Sequence, residues 1–87
     1  MTPTEGAQLM LAMLNEFGEL YQYDAANRLH AEGGEDCIYF NAQGNVAIKQ
    51  EVLKEFKRLT PDYVWLRSST YWRRRQEGDQ PGRMQPY

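Results

Sequence analysis

Apolar and polar positions alternate along this chain in two periods, and the switch between them marks its elements. Leu9, Met10, Met13, Leu14 and Phe17 recur at helical spacing and share one face. The segment opens with "TPTE". Thr2 is placed to cap, Pro3 suits the first helical position and Glu5 completes a capping box. Gly18 supplies a left-handed stop. Leu20–Tyr21 reads as a short extended entry to a second helix that runs through His30, with Ala25, Ala26 and Leu29 as its inner stripe. Gly33-Gly34 ends it. The period then shortens. Cys37–Phe40 and Val46–Ile48 read as two strands around the turn "NAQGN". In the third helix, "IKQEVLKEFKRLT", Ile48, Val52, Phe56 and Leu59 fall within one arc, while Gln50, Lys54, Lys57 and Arg58 gather on the other side. Thr60-Pro61-Asp62 breaks it. Tyr63–Arg67 and Thr70–Arg74 form a last hairpin, turning at Ser68-Ser69. A mobile tail is expected from Gln76 to Tyr87, leaving one domain over residues 1–75.

A chain of 87 residues is a single domain. With 41% hydrophobic and 25% charged residues it has the composition of a soluble globule. The first residues lack the basic start and unbroken apolar run of a signal peptide. No apolar segment approaches the roughly 20 residues that span a bilayer. Cys37 is the single cysteine, which excludes an internal disulfide and fits a reducing cytoplasm.

The net charge of −2 hides an uneven distribution. Residues 1–48 carry seven acids against Arg28 alone, and residues 49–87 carry nine bases against five acids. Such a chain presents two faces of opposite sign, each suited to a different partner.

The order helix, strand, helix, turn or hairpin, helix, hairpin predicts an α+β fold. It is winged-helix-like, with three helices, small β-hairpins and a C-terminal hairpin as the wing. In that plan the third helix and the wing are the usual nucleic-acid contacts, and here both hold the positive charge. The segments "YQYDAANRL", "IYFNAQGNVAIKQEVLKEFKRLT", "VWLRSSTYWRRR" and "PGRMQ" resemble a group of short, uncharacterised bacterial and mobile-element proteins, a domain of unknown function. The resemblance covers roughly residues 6–85. Its most specific parts are Asn41–Ile48, in the pattern N-x-x-G-N-x-A-I, and the "YWRRR…PGR" end. It implies a compact winged-helix-type α+β domain and supplies no activity, cofactor or catalytic residue.

The candidate nucleic-acid-binding residues are Gln50, Lys54, Lys57 and Arg58 on the third helix, with Arg67, Arg73, Arg74 and Arg75 on the hairpin. Arginine's planar fork bonds two phosphate oxygens at once, and Gln50 near the helix start suits a base edge. Two features oppose this. Glu51 and Glu55 lie on the same helix, where carboxylates face phosphate badly. The arginines also suit an edge strand, which positive charge protects from aggregation. Tyr63, Trp65, Tyr71 and Trp72 cluster on the hairpin, and at least two of them belong in the core; one left outside suits a protein interface. His30 and Cys37 flank the acidic "EGGED", but one histidine and one cysteine make a poor basis for catalysis. Cys37 is read as a core residue and His30 as a helix C-terminal cation.

A non-enzymatic binding module is therefore expected, without catalytic residues, metal or cofactor. The leading partner is double-stranded DNA. The alternative is a protein partner, held by the hairpin aromatics or the acidic half, in a regulatory module of a mobile element. Monomer and homodimer both remain compatible. The DNA reading requires Lys54, Lys57, Arg73 and Arg75 to share one continuous face.

Overall fold

The computed structural model describes residues 1–79 and 81–85. Helix α1, Pro3–Phe17, starts as its capping box dictates. Thr2 Oγ1 accepts the Glu5 N–H at 3.1 Å, and the Glu5 carboxylate accepts the Thr2 N–H at 2.8 Å. Those bonds hold the Glu5 carboxyl below its ordinary pKa. Gly18, at φ 79°, ends the helix. Gly6, Ala7, Met10, Met13 and Leu14 are buried, but Phe17 is 65% exposed. Phe17 was expected on the inner stripe. It is the helix's last residue, and the chain turns away at Gly18 before anything covers it.

Strand β1, Glu19–Tyr21, leads into helix α2, Gln22–Ala31, which buries Ala25, Ala26 and Leu29 as its pattern predicts. A short 3-10 turn, Glu35–Cys37, precedes strands β2, Ile38–Phe40, and β3, Val46–Ile48, which pair antiparallel as a separate hairpin. Asn41 builds the turn between them. Its Oδ1 accepts the N–H groups of Gln43 and Asn45, both at 3.0 Å, and Gly44 takes φ 78°.

Helix α3, Gln50–Leu59, buries Val52 and Phe56 and packs on α1 more extensively than any other pair of elements. Strands β4, Tyr63–Leu66, and β5, Tyr71–Arg74, form the C-terminal hairpin. A final strand, β6, Met84–Gln85, pairs parallel to β4. The main sheet has the order β1-β5-β4-β6. The fold is thus α+β, with three helices, small sheets and a C-terminal hairpin.

One expectation changes here. Strand β5 is not an edge strand: β1 and β4 flank it. Contacts also continue beyond residue 75. The Arg75 N–H donates to Asp62 O and the Trp65 N–H to Arg83 O, both at 2.8 Å, so the returning chain completes the sheet. Of the expected tail, Gln80, Pro86 and Tyr87 lie outside the described residues.

Register assigns the two faces of this sheet. Trp65 pairs with Trp72 and with Met84, and Leu20 pairs with Trp72, so these four side chains share one face. That face meets α3, where the Phe56 and Trp72 rings lie edge to face at 5.0 Å. Val64, Leu66, Tyr71 and Arg73 occupy the other face. Val64 and Leu66 are buried there, apart from the main core.

Candidate nucleic-acid interface

Between α3 and the first sheet face lies an open groove of about 1020 Å³. Its floor is Trp72, Trp65 and Met84, one from each of three adjacent strands. Trp72 is only 4% exposed and is braced by Phe56. It props the partly exposed Trp65, with ring centroids 4.7 Å apart and planes at 47°. The wall is one side of α3: Gln50, Leu53, Lys54 and Lys57, and the Glu51 carboxylate lines the groove with them. Their spacing of three or four residues places them on successive turns of one side. Lys54 and Lys57 are exposed, and among the described residues neither forms an ion pair.

Arg83 closes one end of the groove. Its guanidinium donates to Thr60 O at 2.8 Å, Thr60 Oγ1 at 2.9 Å and Tyr63 O at 3.3 Å, and lies over the Phe56 ring at 5.9 Å. Burial lowers its pKa, yet a guanidinium stays charged at any physiological pH. It satisfies the carbonyl at the end of α3, where the helix dipole favours a cation.

The structure divides the eight candidate residues. Gln50, Lys54 and Lys57 come together on the groove wall. Arg58 sits on the flank of α3, its Nε donating to Glu55 Oε1 at 2.9 Å; this pair raises the guanidinium's pKa and lowers the carboxyl's. Thus one of the two opposing carboxylates is engaged away from the groove. Arg67 is exposed in the turn between β4 and β5. Arg74 lies over the Tyr63 ring, 5.5 Å from its centre.

Arg73 occupies the sheet face opposite the groove. It grips Asp79 with two parallel bonds, at 2.8 and 3.0 Å, which pull the Asp79 carboxyl down to about 2. Arg75 donates a side-chain bond to Gly82 O. The arginine run therefore ties Asp79 and Gly82 to the sheet. Lys54 and Lys57 do not share a continuous face with Arg73, because strand alternation puts Arg73 on the far side from Trp72.

Trp65, Leu53, Met84, Arg83 and Gln22 line the groove without having been candidates. Only the aromatic cluster signalled Trp65. Nothing local marks Met84, whose place depends on a parallel pairing with β4. Of the four hairpin aromatics, Tyr63 and Trp72 are buried.

A smaller recess of about 250 Å³ lies between α2 and the β2–β3 hairpin, lined by Tyr23, Asn27, His30 and Phe40 among others. Tyr23 is 74% exposed and Phe40 60%, and His30 meets Phe40 edge-on at 5.8 Å. Cys37 is buried, its thiol directed at the Met1 and Thr2 carbonyls, and burial raises its pKa. Among the described residues no three His, Cys, Asp or Glu side chains group to hold a metal ion, and no helix is long and apolar enough to cross a membrane.

Fold and groove together define a small α+β domain with a cationic, aromatic-floored cleft. The chain belongs to a family of unknown function (DUF6953), whose model matches residues 2–74. Comparison with curated proteins and with solved structures found no match.

Proposed function

We propose that this protein is a non-enzymatic nucleic-acid-binding module that holds the phosphate backbone through α3 alone, without the helix-and-wing face, since Arg73 lies on the opposite side of the sheet and is bonded to Asp79. The observation that carries the reading is the convergence of Lys54, Lys57 and Gln50 on one groove wall. Both lysines are exposed and neither is paired among the described residues, so each keeps its charge available for a phosphate. We read the order of helix, strand, helix, small hairpin, helix and C-terminal hairpin, with β1 beside β5, as a variant of the winged-helix plan. A reducing cytoplasm suits the single cysteine as the place of action.

The test is a fluorescence-anisotropy titration with short mixed-sequence nucleic acid from low to physiological salt. Binding should weaken steeply with salt. Lys54→Ala/Lys57→Ala should flatten the log–log slope by about 1–2, the share of two phosphates. Absence of binding at low salt sinks the reading.

A second reading, a protein-interaction module, rests on the aromatic cluster of Tyr23 and Phe40 in the acidic half of the chain. Exposed aromatic rings beside a recess are the anchors a protein interface uses. Capture of a partner by the wild type, lost in Tyr23→Ser/Phe40→Ser, supports it.

A further inference from the structure

We infer that the groove takes an unstacked base of single-stranded nucleic acid on the Trp65 ring, with Lys54 and Lys57 on the flanking phosphates. This rests on the nucleic-acid reading above and specifies its ligand.

The first argument is the floor. An indole that only filled the core would be covered as Trp72 is. Trp65 instead is partly exposed, lines the groove and is held from the side by its cross-strand neighbour Trp72, which Phe56 braces in turn. Beside it Met84 is 58% exposed, extending the apolar surface by one strand. A ring held in place with access from a groove is a stacking platform, and every base has a π-face to offer it.

The second argument is the placing of charge. Lys54 and Lys57 stand on the wall above that floor, three residues apart and so neighbours on the helix surface. Arg83 adds positive charge at one end, although its N–H groups are committed to Thr60 and Tyr63. Glu51 is the one acid among the lining residues. Cations beside an aromatic floor match a ligand carrying both a backbone charge and a flat ring.

The third argument is access. A helix that reads duplex DNA must project into a major groove. The lysine side of α3 instead looks across a recess at the sheet. Bases in a duplex are stacked on one another and have no free face for Trp65. Those of a single strand can be splayed out. The volume, about 1020 Å³, slightly exceeds the roughly 300–1,000 Å³ of drug-sized ligand pockets, so space does not bar a nucleotide.

Trp65 and Trp72 are the only tryptophans, and Trp72 is shielded, so tryptophan quenching reports on Trp65. The experiment titrates the protein and its variants with three end-labelled probes of equal length, reading affinity by probe anisotropy and, for the wild type, stacking by tryptophan quenching: a mixed-sequence single strand, its duplex, and an abasic strand of the same charge. The single strand should quench the fluorescence and bind roughly tenfold or more tighter than the abasic strand, the scale of one base–aromatic stack. It should also outbind the duplex. Trp65→Ala should remove that advantage and Trp65→Phe keep much of it. The abasic comparison needs no variant, so a Trp65→Ala chain that fails to fold leaves the test intact. If all three probes bind alike and Lys54→Ala/Lys57→Ala weakens all of them, the stacking site is wrong while the nucleic-acid reading stands. If none binds at low salt, both fail. Quenching by polyglutamate equal to that by the single strand also overturns the proposal, marking a groove for acidic peptides.

Discussion

Gly6→Ala probes how closely α1 approaches the layer that carries α3. A Cβ at residue 6 meets Cys37 Sγ at 2.9 Å, with Leu29 Cδ2 and Val52 Cγ1 each at 3.4 Å. Only the first of these is closer than side-chain carbons tolerate. In a helix, alanine is favoured over glycine by about 1 kcal/mol. Forcing a methyl into a filled core costs about 1–3 kcal/mol. The net expectation is a loss of about 0–2 kcal/mol, from a total of roughly 4–13 kcal/mol for a chain of this length. Cys37→Ala removes the close atom, so in that background the same substitution should become neutral or gain up to about 1 kcal/mol. Urea unfolding of the four chains gives the coupling directly, expected at about 1–2 kcal/mol. If Gly6→Ala stabilises both backgrounds equally, with coupling below about 0.5 kcal/mol, the close approach of α1 to Cys37 does not exist in solution.

Other substitutions address the hairpin and the returning chain. Asp79 titrates near 2 because Arg73 holds its charged form, so its contribution is present above its ordinary pKa of 3.8 and is lost as pH falls from there through 2; Asp79→Asn should lower Tm at neutral pH and remove that part of the acid transition. Thr60→Val keeps the shape of a buried side chain but takes away the hydroxyl that accepts from Arg83 and donates to Phe56 O, and should cost about 1–3 kcal/mol in urea unfolding. Thr70 sits at φ 50°, a conformation β-branched residues avoid, so Thr70→Asn should raise stability by about 1 kcal/mol. Cys37, buried and protonated at neutral pH, should react with a thiol reagent only as fast as the chain opens, a rate followed by absorbance across a urea series.

Much of the local structure is legible in the amino-acid order. The capping box at Thr2 and Glu5, the stop at Gly18, the Ala25–Ala26–Leu29 stripe and the Asn41 turn each depend on residues a few positions apart, and each forms as read. The inner arc of α3 was legible in part: Val52 and Phe56, one turn apart, are buried as read, but Ile48 belongs to β3 and is buried from there, and Leu59 is only half-buried. The polar side of that helix was only partly so. Its four residues looked equivalent, but Lys54 and Lys57 face the groove while Arg58 pairs with Glu55 on the flank. Periodicity places residues around a helix axis without saying what stands opposite them.

The "YWRRR" run marks where local reading ends. Alternation assigns Arg73 and Arg74 to opposite faces, and that much the amino-acid order alone dictates, because a strand has period two. Which face meets α3, and what each arginine binds, depended on pairings across the chain. β1 joins β5 from more than fifty residues away, and β6 returns to β4 from beyond a loop that nothing in its composition marks as structural. Those pairings set Trp65 beside Met84, opposed Lys54 to the tryptophan floor, and turned Arg73 into a tie for Asp79. Backbone propensities and caps act over a few residues, so a single chain segment carries them. A groove is made of surfaces that meet only once the whole core has closed.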